Sequence, residues 1–400
     1  MSNQLLEKNI DSIYPSRDAL EAKLKSDKQL KIYLGIDPTS PEIHIGNAIA
    51  LWKLKEFQSA GHTVILLVGD FTGMVGDPSD KTATRKKLTR EEVLTNAKTY
   101  KDQASKILNF SGKNPARLEF NSAWLSKLTF EDIIELSANF TVQQMIERDM
   151  FQKRLEEKKP IGIHEFLYPL MQGYDSVAMD IDIELGGTDQ AFNMLIGRTL
   201  MKIIKSKEKF VLTLPLLEGT DGRKMSKSYD NTIALNDSPN NMYGKIMSLK
   251  DELIVKYFEL CTDMEEKDLK HSKHQLEDKS VNPMDLKKKL AFEITKRYHG
   301  KSEAEKAEKE FVRVFQKRGG PSEIQEITLS KSILPISYAA LANASGATPS
   351  VSAAVSLSEN RGLKVDRNII TDPREMFSEP SSMGTVIDIG KRKSVKIIWK

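Results

Sequence analysis

The sequence predicts an α/β chain: a parallel sheet with crossover helices, then a helical region, then a small α+β module at the C-terminal end. Three observations carry this. The apolar runs Lys31 to Ile36 and Thr63 to Val68 alternate with segments of helical periodicity, the pattern of a parallel sheet with right-handed crossovers. Residues 240 to 318 are rich in Lys and Glu at helical spacing. From about residue 335 the chain turns rich in Ser and Ala and ends in strand-like runs, Gly384 to Ile389 and Val395 to Trp399.

In chain order, residues 1 to 30 read as a charged amphipathic helix packed on the sheet domain. The strand at Lys31 to Ile36 stops at Asp37-Pro38, and Pro38 with Pro41 rules out regular structure beyond it. His44-Ile45-Gly46-Asn47 then opens a helix whose buried face carries Ala48, Leu51 and Trp52. Such a helix start offers free N–H groups and the positive end of a dipole to an anion. Gly46 admits a ligand to the backbone, and His44 and Asn47 add side-chain donors. Alone, a His and an Asn at this place more often form a simple cap. Thr63 to Val68 is almost wholly apolar, a strand buried on both faces. Ligands of parallel sheets sit beyond the carboxyl ends of the strands, where Tyr33 to Asn47 and Gly69 to Lys81 fall. Lys81-Thr82 imitates the end of a P-loop, but Val75 and Asp80 stand where its glycines belong, and no dinucleotide glycine motif comes after a strand.

Residues 90 to 160 read as mainly helical, with apolar spacing around Trp124 and Ile133. In Phe166 to Asp175, Pro169 suits the first turn of a helix on which Tyr168, Gln172 and Asp175 share a face. That face is a polar constellation or simply a solvated side. Met179 to Leu185 alternates apolar and acidic residues, a strand with one side open to polar surroundings. Gly186-Gly187-Thr188-Asp189-Gln190 next allows close backbone approach to a ligand with a carboxylate alongside, or is an ordinary capped turn. Lys224-Met225-Ser226-Lys227-Ser228 lies on a loop rich in Gly and Asp, which by itself could be a solvated basic loop. Gly319-Gly320-Pro321 reads as a linker, and no internal repeat is present.

With 400 residues the chain suits two or three domains. Its net charge of +4 is slight, so contact with nucleic acid has to come from local patches. A single cysteine, Cys261, excludes an internal disulfide framework and fits a reducing cytoplasm. Met1 to Lys31 has no signal-peptide pattern, and no run is long and apolar enough for a bilayer span. His271 and His274 have no neighbours to complete a zinc set, so no metal site is expected.

The His44 stretch and the Lys224 loop, in this order and at this separation, resemble the paired HIGH and KMSKS signatures of class I aminoacyl-tRNA synthetases. Together with Tyr33 and Asp175 they resemble the bacterial tyrosyl-tRNA synthetases of the subgroup that carries KMSKS in full. The resemblance runs over most of residues 30 to 235 and continues more loosely to the C-terminal end. It implies a Rossmann-like catalytic domain over 1–235 with a helical insertion at about 90–160. An α-helical anticodon-binding domain over 236–325 and an S4-like RNA-binding domain over 335–400 would come after it.

By that resemblance, Tyr33 and Asp175 would bind the substrate phenol, and Asp77, Tyr168 and Gln172 its ammonium. Gln190 would sit by the substrate carboxylate near Asp37, and Gly187 and Asp189 would meet the ribose. Thr39, His44, Gly46, Asn47, Lys224 and Lys227 would serve ATP and its charge. The partners implied are L-tyrosine, ATP accompanied by Mg2+, tRNA(Tyr) and a second copy of the chain, without a membrane or an organic cofactor. Asn47 replaces the second His of the signature but still donates, and Ala50 has no hydroxyl for the ribose. Ser350 to Ala354 stands where S4-like modules carry two arginines, leaving Arg361, Lys364, Arg367, Lys391, Arg392 and Lys393 for phosphates. Two other readings compete: a tryptophan-activating homologue, against which Tyr33 and Asp175 speak, and an RNA-binding paralogue without aminoacylation.

Overall fold

The computed structural model describes residues 4–26, 29–77, 88–226, 229–278, 280–316, 325–366, 368–380, 384–390 and 393–400. The chain forms two compact units, residues 1–236 with 249–286, and residues 237–248 with 287–400.

The first unit is built on a six-stranded sheet of β1 (Ser12–Tyr14), β2 (Lys31–Ile36), β3 (Thr63–Val68), β4 (Arg117–Phe120), β5 (Ile183–Gly187) and β6 (Phe210–Leu214). The order is β1-β6-β5-β2-β3-β4, parallel except for β1, which runs against β6. Ile32, Tyr33, Leu34 and Val64 to Val68 are buried, as central parallel strands require. The chain runs from β2 outward through β3 and β4, then returns to the other side of β2 as β5. The crevice of this sheet therefore opens beyond the carboxyl ends of β2 and β5, where the direction of winding reverses.

The strand at Lys31–Ile36, the strand at Thr63–Val68 and the helix Ile45–Ser59 with His44 as its N-cap lie where the sequence expects them. Three expectations need correction. Residues 1–30 are not one helix: β1 precedes the helix Arg17–Lys25 and closes the sheet edge on β6. Pro169 is not in a first turn, because the helix runs Ile163–Met179 and begins where Glu165 accepts from the Gly162 N–H at 2.8 Å. The bond that Pro169 cannot make is the one to the Glu165 carbonyl, early in the helix. That helix also absorbs Met179 and ends on Asp180 at φ 54, so β5 starts only at Ile183. The acidic side chains here are not open to solvent: Asp182 and Glu184 are buried, each against polar partners.

Helices fill most of residues 90–156, with β4 among them as a strand the apolar pattern does not reveal. The segment 249–286 is tied to the rest of the first unit by Tyr257, whose hydroxyl donates to the Glu218 carbonyl at 2.6 Å, and by Lys8, which donates to the Thr262 carbonyl at 2.6 Å. Among the described residues no helix is long and apolar enough to cross a membrane.

In the second unit the helices Pro239–Met247 and Lys301–Phe311 meet through Tyr243 and Phe311, ring centroids 5.5 Å apart. A five-stranded sheet orders Asn368–Ile369, Leu363–Val365, Thr385–Ile389, Lys393–Trp399 and Gln325–Leu329, the last pair parallel and the rest antiparallel. Leu341, Leu363, Ile387, Val395 and Ile397 form its core. Ser350 caps the helix Val351–Glu359 by accepting from the Ala353 N–H at 3.1 Å. The expected linker at 319–321 lies outside the described residues.

Candidate active site

The two distant signatures meet through backbone pairing. The Ile45 N–H donates to the Ile233 carbonyl and the Leu235 N–H to that of Ile43, each at 2.9 Å, so the segment after the Lys224 loop lies along the entry to the His44 helix. Asn231 holds the loop itself: its carboxamide oxygen accepts from the Ser226 N–H at 2.8 Å, and its NH2 donates to the Lys224 carbonyl at 3.1 Å. The Lys224 ammonium stands 3.8 Å from the Asp189 carboxylate, joining this loop to the turn after β5. Lys227 lies outside the described residues.

At the helix start, Nδ1 of His44 accepts from the Asn47 N–H and Oδ1 of Asn47 accepts from the His44 N–H, each at 3.3 Å. The simple capping role and the ligand-binding role are therefore compatible. Burial, and then the charge of Lys224, lower the His44 pKa to about 4. At neutral pH the ring is uncharged, and with Nδ1 accepting, its proton sits on Nε2 as a donor. Gly46 leaves room for this cap: a Cβ there would crowd His44 Nδ1 at 3.0 Å. The Thr39 N–H donates to the Asp37 carbonyl at 2.8 Å, turning the loop after β2.

A continuous polar chain lines the floor beyond β2. Asp37 accepts from the Thr72 hydroxyl on one oxygen and from the Tyr168 hydroxyl on the other, both at 2.7 Å. Thr72 in turn accepts from the Asn121 NH2 at 3.0 Å, which also reaches Asp175 at 3.2 Å. Trp124 Nε1 donates to the second oxygen of Asp175 at 2.7 Å. The backbone permits this because residue 69 is glycine; a Cβ there would fall 1.9 Å from an Asp37 oxygen.

Burial pushes the Asp175 carboxyl well above the usual carboxylate range, against the pull of its Trp124 and Asn121 donors. The Tyr33 phenol, fully buried and 3.2 Å from the Ser176 hydroxyl, is raised well above its ordinary value by burial and then by the charges of Glu184 and Asp175. Tyr168 is raised likewise, by burial and then by Asp37 and Asp77. Both phenols therefore stay protonated at neutral pH.

Asp77 accepts from the Gln190 NH2 at 2.6 Å and lies 3.8 Å from the Arg148 guanidinium. Arg148 is packed between the Phe151 and Phe192 rings, and its burial lowers its pKa. Gln172 donates to Glu184 at 3.1 Å. Gly187 ends β5, where a Cβ would press on Asp189 and Leu216 at 2.7 and 2.8 Å. Sequence reasoning misses Thr72, Asn121, Trp124, Arg148, Ser176, Glu184 and Lys209, although Asn121 comes directly after β4 and recognising that strand would point to it.

Of the residues expected to touch RNA, exposed Arg361 and half-buried Lys364, the latter on the Leu363–Val365 strand, belong to the second unit. Arg367, Lys391 and Arg392 lie outside the described residues, and Lys393 begins the last strand.

A parallel sheet whose switch point gathers a neutral His at a helix start, a loop lysine, a buried phenol and a buried carboxyl group has the ligand site of a doubly wound α/β enzyme. Comparison with known proteins narrows the class. Residues 25–316 match the model of the tRNA synthetases class I (W and Y). The chain is 45% identical over 397 residues to the tyrosine–tRNA ligase of Thermotoga maritima, covering 98% of this chain and 96% of that one. It is 46% identical over 397 residues to the tyrosine–tRNA ligase of Haemophilus ducreyi, covering 99% and 97%. In fold it resembles a C-terminally truncated mitochondrial tyrosyl-tRNA synthetase of Aspergillus nidulans, with a TM-score of 0.65 and 23% identity over 78% of this chain and 94% of that one. This chain belongs to the class I tRNA synthetases and, within them, to the tyrosine–tRNA ligase family.

Proposed function

We propose that this chain activates L-tyrosine with ATP to tyrosyl-adenylate and pyrophosphate, then transfers the tyrosine to the 3′-terminal adenosine of tRNA(Tyr). The observation that carries the reading is the buried pair of Tyr33 and Asp175, a protonated phenol beside a carboxylate held by Trp124 and Asn121. A substrate hydroxyl would pair with both, and phenylalanine would leave them partly unpaired. The tyrosine-activating enzymes are themselves the standard instance of such rejection.

Asp77 and Tyr168 with Gln172 would receive the ammonium, and Gln190 the carboxylate end. The amino-acid carboxylate is ionised at neutral pH, so its attack on the α-phosphate needs no general base. The chain's task is alignment and charge neutralisation. His44 through Nε2, Asn47 through its NH2, and Lys224, with Lys227, would meet the developing charge on the triphosphate. Asp37, Thr39, Gly46, Gly187 and Asp189 would border the nucleotide. Mg2+ would enter as the ATP complex. Phosphate oxygens and water would supply its ligands.

A homodimer fits the insertion, which exposes Phe130 and Val142 at 78% and 64%. Cys261, buried and the one cysteine of the sequence, suits a reducing cytoplasm. The test is charging of a tRNA(Tyr) transcript with labelled tyrosine. Stable charging supports the reading, whereas folded protein that binds the transcript without charging it would favour an RNA-binding paralogue.

A further inference from the structure

Behind the proposed substrate pocket lies an ion pair that the reaction does not use. Lys209, directly before β6, and Glu184 on β5 are both buried and paired, and the Lys209 ammonium also donates to the Met194 carbonyl at 3.1 Å. Two charges without access to water contribute little to stability compared with well-packed apolar side chains, so their retention calls for another reason. Glu184 supplies one. One of its oxygens accepts from the Gln172 NH2 at 3.1 Å, and the other faces the Ser176 hydroxyl at 3.4 Å as well as Lys209.

A carboxylate only accepts hydrogen bonds, while the two ends of a glutamine amide differ. Facing Glu184, the Gln172 amide has to turn its NH2 toward the carboxylate and its carbonyl oxygen away from it. We propose that Glu184, paired with Lys209, is a positioning residue that fixes the Gln172 carbonyl as an acceptor for the substrate ammonium. The proposal rests on the reading above, in which Gln172 meets that ammonium. Lys209 keeps Glu184 an acceptor. A neutral partner at 184 could donate to Gln172, let its amide turn over, and present an NH2 to a cation.

The test uses ligands that carry one end each. Tyramine has the phenol and the ammonium, and 3-(4-hydroxyphenyl)propionate has the phenol and the carboxylate. Each is measured as a competitive inhibitor of tyrosine-dependent pyrophosphate exchange by wild type and by the double variant Glu184→Gln with Lys209→Met. The double variant removes both buried charges together, a change that cores commonly tolerate. Tyramine and tyrosine are expected to bind about tenfold more weakly, as when a hydrogen bond to a charged group is lost. The propionate and ATP should be unchanged. Equal losses for both inhibitors, or no loss for either, in a folded variant would overturn the proposal. If the double variant does not fold, Glu184→Asp decides: it keeps the charge but shortens the reach to Gln172, and it must show the same selective loss. Absence of tyrosine-dependent exchange in wild type would instead refute the proposed function itself.

Discussion

Asp175→Asn keeps the shape of the phenol pocket while changing its chemistry. In the protein, both Asp175 oxygens accept, one from Trp124 and one from Asn121. Asparagine has to point its NH2 at one of these donors, leaving that donor without an acceptor at a cost of about 1–3 kcal/mol. Against this, the substitution removes a buried carboxyl group whose ionised form burial disfavours, which acts in the opposite direction. Stability should therefore change little. For the substrate the terms do not cancel. A phenol that loses a charged acceptor loses about 1.5–3 kcal/mol, or roughly 10- to 150-fold in kcat/KM for tyrosine, while phenylalanine has no hydroxyl to lose it. The assay is pyrophosphate exchange with both amino acids beside thermal melting of the same samples. A folded variant that keeps the wild-type ratio of tyrosine to phenylalanine would refute the assignment of Asp175.

Three further outcomes are set by the geometry. Gly69→Ala should destabilise the first unit by about 2–4 kcal/mol and abolish exchange, because a Cβ 1.9 Å from Asp37 has to displace the carboxylate from Thr72 and Tyr168; denaturant unfolding checks it. His44 is lowered to about 4, against about 6.5 in an unfolded chain, so between those values the unfolded chain binds more protons and stability rises with pH, levelling above 6.5. The difference in unfolding free energy between pH 4.5 and 7 should be larger in wild type than in His44→Asn by about 2 kcal/mol, less than the full shift implies because the imidazole keeps an exposed edge. Alanine at both Arg361 and Lys364 should weaken tRNA binding and reduce its log–log salt slope by about 2, measured by filter binding across salt concentrations, without altering tyrosine-dependent exchange.

The elements that position the nucleotide are legible because their patterns are local. An apolar run, two prolines and a helix opening at His44 specify strand, loop and N-cap within a short stretch. The residues behind the pocket are hidden for the opposite reason. In the sequence Glu184 looks like the polar side of an open strand, and its burial becomes evident only when β6 brings Lys209 against it. Asn121 and Trp124 read as parts of a helical insertion because β4, an edge strand with an exposed arginine and a glutamate, lacks an apolar run. The face of Tyr168, Gln172 and Asp175 is polar, as its spacing indicates. The partners of these side chains, Asp37, Glu184 and Trp124, lie on other elements of the fold, which no local pattern reveals.

The central claim is that the pocket around Tyr33 and Asp175 selects tyrosine for activation. Its most direct measurement is exchange of labelled pyrophosphate into ATP by the wild-type chain, with tyrosine, phenylalanine and tryptophan supplied separately. Exchange that depends on tyrosine and is nearly absent with the other two is the predicted result. Exchange driven by tryptophan, or by tyrosine and phenylalanine alike, would contradict it.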